Sequence, residues 1–258
     1  MHKVGIIGYG FVGKAVASQY LLDAEHIIDP NSDFAKGNYE SIKNTDGVFV
    51  CVPSPQREDG SCDTSILDEV LQNLYAINYK GVIISKVTAP PSYYKNAQKI
   101  FDNLVYVPEF LTAANAVADY QNTTRHFIGG TNAAYVLLAK SIIGGVGEFS
   151  TFVDCSIEEA SMLKYIVNSF LATKVVFMNE IKELCDKTNI DYTKVSKMLA
   201  VEHRVGRSHN KVPGPDGQLG FGGACFPKDT NALLTYAKDN DIMLSVLNTA
   251  VTKNNTYR

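Results

Sequence analysis

Apolar residues fall along this chain in two rhythms. Short apolar runs occur at Val4-Gly5-Ile6-Ile7, His26–Ile28, Gly47–Val52, Gly81–Ser85, Leu104–Val107 and His126–Gly129. Patterns of helical period lie between several of them, over Lys14–Leu22, Ser65–Leu74, Ser92–Phe101 and Ala133–Ile143. Short, partly β-branched runs alternating with helices predict a parallel sheet covered on both faces. From Asp154 onward the pattern is helical. Ser156 and Glu159 have capping-box spacing ahead of a long helix that continues past Leu171. A second helix is predicted from Tyr192 to about His203, then a Gly- and Pro-rich loop from Arg204 to Gly220, then a helix from Pro227 through Ala237. The expected fold is α/β, a doubly wound parallel sheet over residues 1–154 followed by an α-helical domain over 155–258.

The first turn makes that sheet more specific. Gly8-Tyr9-Gly10-Phe11-Val12-Gly13 follows the first strand and opens a helix, and the second strand ends at Asp29. This is the order of a Rossmann-type dinucleotide-binding unit. Gly8 allows the tight turn, Gly10 a close approach of backbone to pyrophosphate, and Gly13 close helix packing. Asp29 is placed to accept hydrogen bonds from a ribose, which favours NAD over NADP; a solvated turn ahead of Pro30 is the plainer alternative. Ligands of such sheets lie beyond the carboxyl ends of the strands. Three loops leave those ends: Pro53-Ser54-Pro55, Lys86 to Pro91 with Thr88, and Pro108-Glu109-Phe110. Glu109 alone would read as a solvated loop acid.

Composition narrows the partner class. A chain of 258 residues, 45% hydrophobic and 20% charged, is long enough for a substantial core. Its net charge of -3 supplies no basic field for nucleic acid, so a small-molecule partner is expected. Five cysteines without a C-x-x-C pair predict neither a disulfide framework nor a zinc knuckle, and they fit a reducing, cytoplasmic setting. The five histidines show no metal-ligand spacing, so no metal is expected. Glycines interrupt the apolar N-terminus, which therefore does not read as a signal peptide. No apolar run is long enough to span a membrane.

The remaining chemistry lies in the second half. Gly220-Phe221-Gly222-Gly223-Ala224-Cys225-Phe226-Pro227-Lys228-Asp229 sets a cysteine at a helix mouth, where free N–H groups and the helix dipole favour thiolate. Asp229 should lie about one turn from the sulfur. A glycine-rich turn holding a small buried cysteine is the alternative. Lys164 and Asn168 share one face of the long helix within an apolar stripe, where each needs a structural partner or a substrate. Arg207, His209 and Lys211 bring cations to the loop before the glycines; they fit a diphosphate or a solvated loop.

Taken together, these motifs resemble the nucleotide-sugar 6-dehydrogenase family typified by UDP-glucose 6-dehydrogenase. The matching pieces, in the family's order, are the glycine turn, Val52-Pro53-Ser54-Pro55 with Asp59-Gly60-Ser61-Cys62-Asp63, Pro108-Glu109-Phe110-Leu111, Lys164-Tyr165 with Asn168 to Ala172, Arg204-Val205-Gly206, and Gly220 to Asp229. The resemblance implies oxidation of a sugar C6 alcohol to a carboxylate with NAD. Cys225 would be the nucleophile, Lys164 and Asn168 oxyanion donors, and Asp229, Glu109 and Thr88 the groups that handle protons and water. It implies cofactor contacts from Gly8, Gly10, Phe11, Val12, Gly13, Asp29, Pro53 and Ser54. It implies substrate contacts from Phe110, Leu111, Arg204, Lys211, Phe221 and Gly222, in a homodimer.

Two departures follow from the same resemblance. The family usually has a second glutamate four residues after the one matched by Glu109; Ala113 stands there, which bears on thioester hydrolysis or substrate contact. The family also continues into a third domain that holds the nucleotide, so a separate chain supplying that domain is one expected partner, and weak substrate binding is expected without it. Two other functions stay open: a single-step β-hydroxyacid dehydrogenase, which has no use for Cys225, and a non-catalytic NAD-binding subunit.

Overall fold

The computed structural model describes residues 2–20, 22–144 and 150–258. It contains two compact units, Met1–Pro55 with Cys62–Lys164, and Gln56–Ser61 with Tyr165–Arg258. In the first unit the elements alternate as β1 (Val4–Ile7), α1 (Phe11–Ala17), β2 (Ile27–Ile28), α2 (Tyr39–Ile42), β3 (Gly47–Val50), α3 (Ser65–Ala76), β4 (Val82–Ser85), α4 (Pro91–Ala97), β5 (Leu104–Tyr106), α5 (Ala116–Gln121), β6 (Arg125–Gly129), α6 (Ala133–Gly144) and β7 (Thr151–Cys155). The seven strands form one sheet in the order β2-β1-β3-β4-β5-β6-β7. Chain direction reverses across the sheet at β1, so the β1–β3 crevice is the topological switch point where ligands of such sheets bind.

Successive residues of each strand serve opposite faces. Ile7, Val48, Val50, Ile83, Leu104 and Tyr106 pack on one side with α3 and α4 residues such as Leu67, Leu74 and Tyr94. Val4, Ile6, Phe49, Val82, Ile84 and Val105 pack on the other with Val16 of α1 and Ile142 of α6. Both faces are covered, which is why these strands read as continuous apolar runs rather than as alternating ones.

The structure departs from the sequence pattern in identifiable places. β5 and β6 pair antiparallel, Tyr106 opposite Gly129, so the sheet is mostly rather than wholly parallel. β7 was not foreseen: it is a largely exposed edge strand, parallel to β6, with Phe152 stacked on His126 at 5.4 Å. The helix expected over Lys14–Leu22 runs from Phe11 to Ala17 instead, and Leu21 lies outside the described residues. Its end is set at Ser18, whose hydroxyl donates to the Ala15 carbonyl while Gln19 and Tyr20 bond three residues back. α4 stops at Ala97 rather than Phe101.

The first unit ends within α7 (Ile157–Lys187), which starts as the capping box requires: Glu159 N–H donates to Ser156 Oγ, and Ser156 N–H donates to Glu159 Oε2. Its residues from Tyr165 onward belong to the second unit. α8 (Tyr192–Leu199), shorter than expected, α9 (Phe226–Lys238) and the unforeseen α10 (Ser245–Asn254) complete it. Ala172 and Val176 of α7, Phe221 and Ala250 form its core. The segment Gln56–Ser61 joins this unit by accepting from α9: Asn231 Nδ2 donates to Gln56 Oε1 at 3.1 Å, and Thr235 Oγ1 to the Asp59 carbonyl.

Two glycines of the first turn differ in what a side chain would meet, and that difference is testable. A Cβ on Gly13 would run into the Gly8 carbonyl, whereas one on Gly10 would meet nothing within 4 Å. Gly13→Ala should therefore lower stability by about 2 kcal/mol, and Gly10→Ala should leave it nearly unchanged. Thermal unfolding of both variants measures the contrast; equal melting temperatures would contradict the packing role of Gly13.

Candidate active site

In the first unit the glycine turn is built for close approach. Gly8 has φ +94, and its amide donates to Ile28 O at 2.8 Å. A Cβ there would lie 2.7 Å from the Cys51 carbonyl carbon, so β1 and β3 close on the turn. Gly10 is the exposed N-cap of α1 and gives that helix no side-chain cap. Asp29, at the end of β2, accepts from Tyr9 N at 2.5 Å and from Asn31 N at 2.8 Å. The acid is thereby fixed against the turn, and each carboxylate oxygen keeps a lone pair for a further donor. An open glycine, uncapped N–H groups and an anchored acid fit the pyrophosphate and ribose of a dinucleotide. Phe11 is exposed, Val12 half-buried, Pro53 exposed and Ser54 buried.

A second cluster in the same unit surrounds Glu109. Lys164, 3% exposed, donates to Glu109 Oε1 at 2.9 Å and to the Glu109 carbonyl at 2.5 Å. The other carboxylate oxygen accepts from Leu111 N at 2.7 Å. The ammonium also lies 5.3 Å from the ring centroid of Phe110, which is half in solvent. Two buried charges thus compensate each other, with extra bonds that such a pair needs. Thr88 is buried, and its carbonyl accepts from Cys62 Sγ at 3.3 Å. Nearby Lys86 is buried; its ammonium makes no hydrogen bond or ion pair among the described residues and sits 5.6 Å from the Tyr120 ring centroid. Burial pulls its pKa down to about 8, against the raising effect of Cys51 and Glu109. The same burial pushes the Cys51 thiol up to about 12 and, aided by Lys86, His126 down to about 4.

In the second unit Cys225 is the N-cap residue of α9 and half-buried, beside exposed Gly223 and Ala224. Its carbonyl accepts from Asp229 N at 2.9 Å, one helical turn on. The Asp229 carboxylate is buried; it accepts from Asn168 Nδ2 at 2.6 Å and from Lys228 Nζ at 2.5 Å. Lys164 and Asn168 therefore each hold an acid, Glu109 and Asp229 respectively. The glycine segment before the cysteine is pinned: Asn254 exchanges two hydrogen bonds with the Phe221 backbone, and Asn179 Oδ1 accepts from Gly220 N at 3.1 Å.

The sequence-derived substrate residues fall in different settings. The Phe221 side chain lies in the core, and its backbone polar groups are taken by Asn254. Gly222 faces the Arg258 guanidinium. Arg204 is exposed and paired with Glu202, Nε to Oε1 at 2.8 Å and Nη2 to Oε2 at 3.0 Å. Lys211 is exposed, Leu111 half-buried, and Ala113 exposed. Lys86, Lys174, Asn179 and Asn254 were not singled out from the sequence. Lys174 and Asn179 on α7 and Asn254 on α10 carry the same signal as Lys164 and Asn168, a lone cation or amide in a helical stripe, whereas Lys86 lies in the loop after β4, where no such stripe marks it.

Residues 25–143 match the model of the UDP-glucose/GDP-mannose dehydrogenase family, NAD binding domain, and residues 158–256 that of the same family's central domain. The UDP-glucose 6-dehydrogenase of Rickettsia bellii is 34% identical over 223 residues, covering 83% of this chain and 50% of the relative. UDP-glucose 6-dehydrogenase TuaD of Bacillus subtilis is 29% identical over 246 residues, covering 91% and 51%. The chain thus spans about half the length of the curated relatives it matches. A UDP-glucose dehydrogenase from Pyrobaculum islandicum superposes with TM-score 0.83 at 22% identity, over 99% of this chain and 68% of that one. The 3-hydroxyisobutyrate dehydrogenase of Mycobacterium tuberculosis superposes with TM-score 0.74 at 16% identity, over 98% and 92%. At those identities the two structures show a shared fold.

Thiol environments give a direct test. Cys62 and Cys185 are buried, and burial raises the pKa of both Cys51 and Cys155. With iodoacetamide at pH 7.5, peptide mapping should find Cys225 carbamidomethylated first, with Cys51 at least tenfold slower because its thiolate is scarce below pH about 12. Faster labelling at Cys51 or Cys155 would contradict an accessible, activated Cys225.

Proposed function

Because the chain belongs to the UDP-glucose/GDP-mannose dehydrogenase family, we propose that it is an NAD-dependent nucleotide-sugar 6-dehydrogenase that oxidises the C6 alcohol, UDP-glucose first among substrates, to the carboxylate. The observation that carries this reading is Cys225 at the mouth of α9, one turn from a buried Asp229 held by Asn168. A nucleophile at a helix start, with an oriented acid beside it, is the arrangement covalent oxidation of an aldehyde needs.

NAD+, when bound, supplies the hydride acceptor, twice per sugar. Loss of a proton and a hydride turns the alcohol into an aldehyde. The Cys225 thiolate adds to the carbonyl carbon, giving a tetrahedral thiohemiacetal that can lose a second hydride. The resulting thioester is cleaved by water, which leaves the acid on the sugar and returns the thiolate. The oxygen that bears negative charge after sulfur addition is assigned to Lys164 and Asn168, one by charge and one by hydrogen bonding. Asp229 and Glu109 take and return protons, and Thr88 positions the water. Glu109 and Asp229 keep Lys164 and Asn168 oriented, as the hydrogen bonds at 2.9 and 2.6 Å support. Gly8, Gly10, Gly13 and Asp29 hold the cofactor, and Arg204 and Lys211 the diphosphate. The reading assigns cofactor binding to residues 1–154 and a helical catalytic and dimerising role to 155–258.

A homodimer is part of the same reading. Ile166, Phe170, Phe177 and Leu184 are 51–66% exposed and fall within one stripe of α7, since spacings of four and seven residues return to one side of a helix. A second copy would cover it. Phe170→Glu with Phe177→Glu should convert a dimer to a monomer in light scattering after gel filtration; an unchanged mass would remove α7 from the interface.

Cys225→Ser separates the two-step reading from a single-step hydroxyacid dehydrogenase. With UDP-glucose and NAD+, the wild type should form two NADH per sugar consumed and release the acid. The variant should lose acid release by at least a hundredfold. Unchanged turnover and stoichiometry in the variant would favour the single-step reaction, and a wild type inert toward a panel of nucleotide sugars would leave the non-catalytic subunit.

A further inference from the structure

Lys174, on the buried side of α7, has an arrangement that the reaction above does not use. The residue is 9% exposed, and no carboxylate among the described residues pairs with it. Instead Nζ donates to three backbone carbonyls: Val205 at 3.0 Å, Gly206 at 3.3 Å and Ser208 at 2.5 Å. These belong to the loop that follows α8, and the loop is bent to present them. Gly206 takes φ +81 and His209 φ +62, both left-handed. Asn210 Nδ2 closes the turn onto the Gly206 carbonyl at 3.0 Å, while the Asn210 carbonyl accepts from Tyr192 Oη and Ser196 Oγ of α8. A cation with three donors and a radius suited to converging carbonyls is the simplest group that satisfies such a ring.

The loop has few apolar anchors: Val205 is half-buried and the His209 ring lies 5.4 Å from that of Phe226. Arg204, Arg207 and Ser208 are exposed, and the Glu202–Arg204 pair is on the surface, where it stabilises little. Without the ammonium, the Val205, Gly206 and Ser208 carbonyls would lose a charge-assisted partner, and the left-handed residues would have less to hold them. Arg204 immediately precedes the first of the three carbonyls. Its backbone is therefore set on one side by the turn after α8, where the Val205 and Gly206 amides donate to Glu202 O, and on the other by Lys174.

We propose that Lys174 is a positioning residue for substrate recognition: it fixes the backbone of Val205–Ser208 and thereby the approach of the Arg204 guanidinium to the diphosphate of the nucleotide sugar. The proposal rests on the nucleotide-sugar reading for the role of Arg204. The ring of carbonyls around Lys174 stands without it.

Two measurements on Lys174→Met and Lys174→Arg test the two halves. Limited trypsin digestion should cleave after Arg204 and Arg207 at least fivefold faster in Lys174→Met, with the melting temperature changed by only a few degrees. Lys174→Arg should return cleavage to within twofold of wild type. Unchanged cleavage in Lys174→Met overturns the clamp, whatever the activity. In steady-state kinetics, Lys174→Met should raise KM for UDP-glucose about tenfold, with kcat and KM for NAD+ within twofold. In an Arg204→Ala background it should add no further increase. A tenfold rise that persists in the Arg204→Ala background, or a fall in kcat at constant KM, overturns action through Arg204. A wild type that forms NADH from no nucleotide sugar overturns the dehydrogenase reading and the substrate half with it, while the digestion result still decides the clamp.

Discussion

Asp229 holds a carboxylate at 1% exposure, and the arrangement of the second unit around Cys225 depends on that group being fixed there. A buried carboxylate is costly unless hydrogen bonds and positive charge surround it. Three features supply them. Asn168 donates to one oxygen, Lys228 pairs with the other, and the acid lies in the first turn of α9, where the helix dipole favours negative charge. The carboxylate in turn fixes the Asn168 amide and sits one turn from Cys225. Removing Lys228 would leave a buried carboxylate without a cation, and removing Asn168 would leave one of its oxygens without this donor.

The same logic recurs around Glu109 in the first unit. There the buried acid is matched by Lys164 and by the Leu111 amide, so Lys164 is held rather than free to search for a partner. Lys86 is the contrast. It is buried beside this pair without an ion-pair partner of its own among the described residues, and burial lowers its affinity for a proton. In both units the candidate site side chains sit on or beside regular elements, while glycines and amide side chains hold the connecting backbone. Asn254 illustrates this: it mimics a strand partner for Phe221 and fixes the segment that leads to the cysteine.

The sheet was legible because its strands are buried on both faces, which turns each into an apolar run bounded by glycine or polar residues. Helix ends were less legible: Ser18 and the turn after Leu199 redirect backbone hydrogen bonds locally, and apolar spacing carries no record of that. β7 escaped notice because it is an exposed edge strand with little hydrophobic signal. α10 escaped because only Leu247, Ala250 and Asn254 of it are buried. The glycine turn, Asp29, Cys225 and Asp229 could be read from spacing because each depends on local backbone geometry. Which partners Lys164 and Asn168 would find depended on residues 55 and 61 positions away, beyond the reach of local spacing. Phe221, which the family resemblance made a substrate contact, has its side chain in the core, and its backbone is held by Asn254, a residue that carries no local sequence signal.

In the proposed reaction the C6 carbon of the sugar is bonded to the Cys225 sulfur in the course of each turnover. Intact-protein and peptide mass spectrometry after acid quench of the protein mixed with UDP-glucose and NAD+ detects that bond. An adduct with the mass of the sugar-nucleotide acyl group is expected on the peptide containing Cys225, discharged when hydroxylamine is added. Acid product formed with no adduct at any quench time, or an adduct on a different residue, would contradict it.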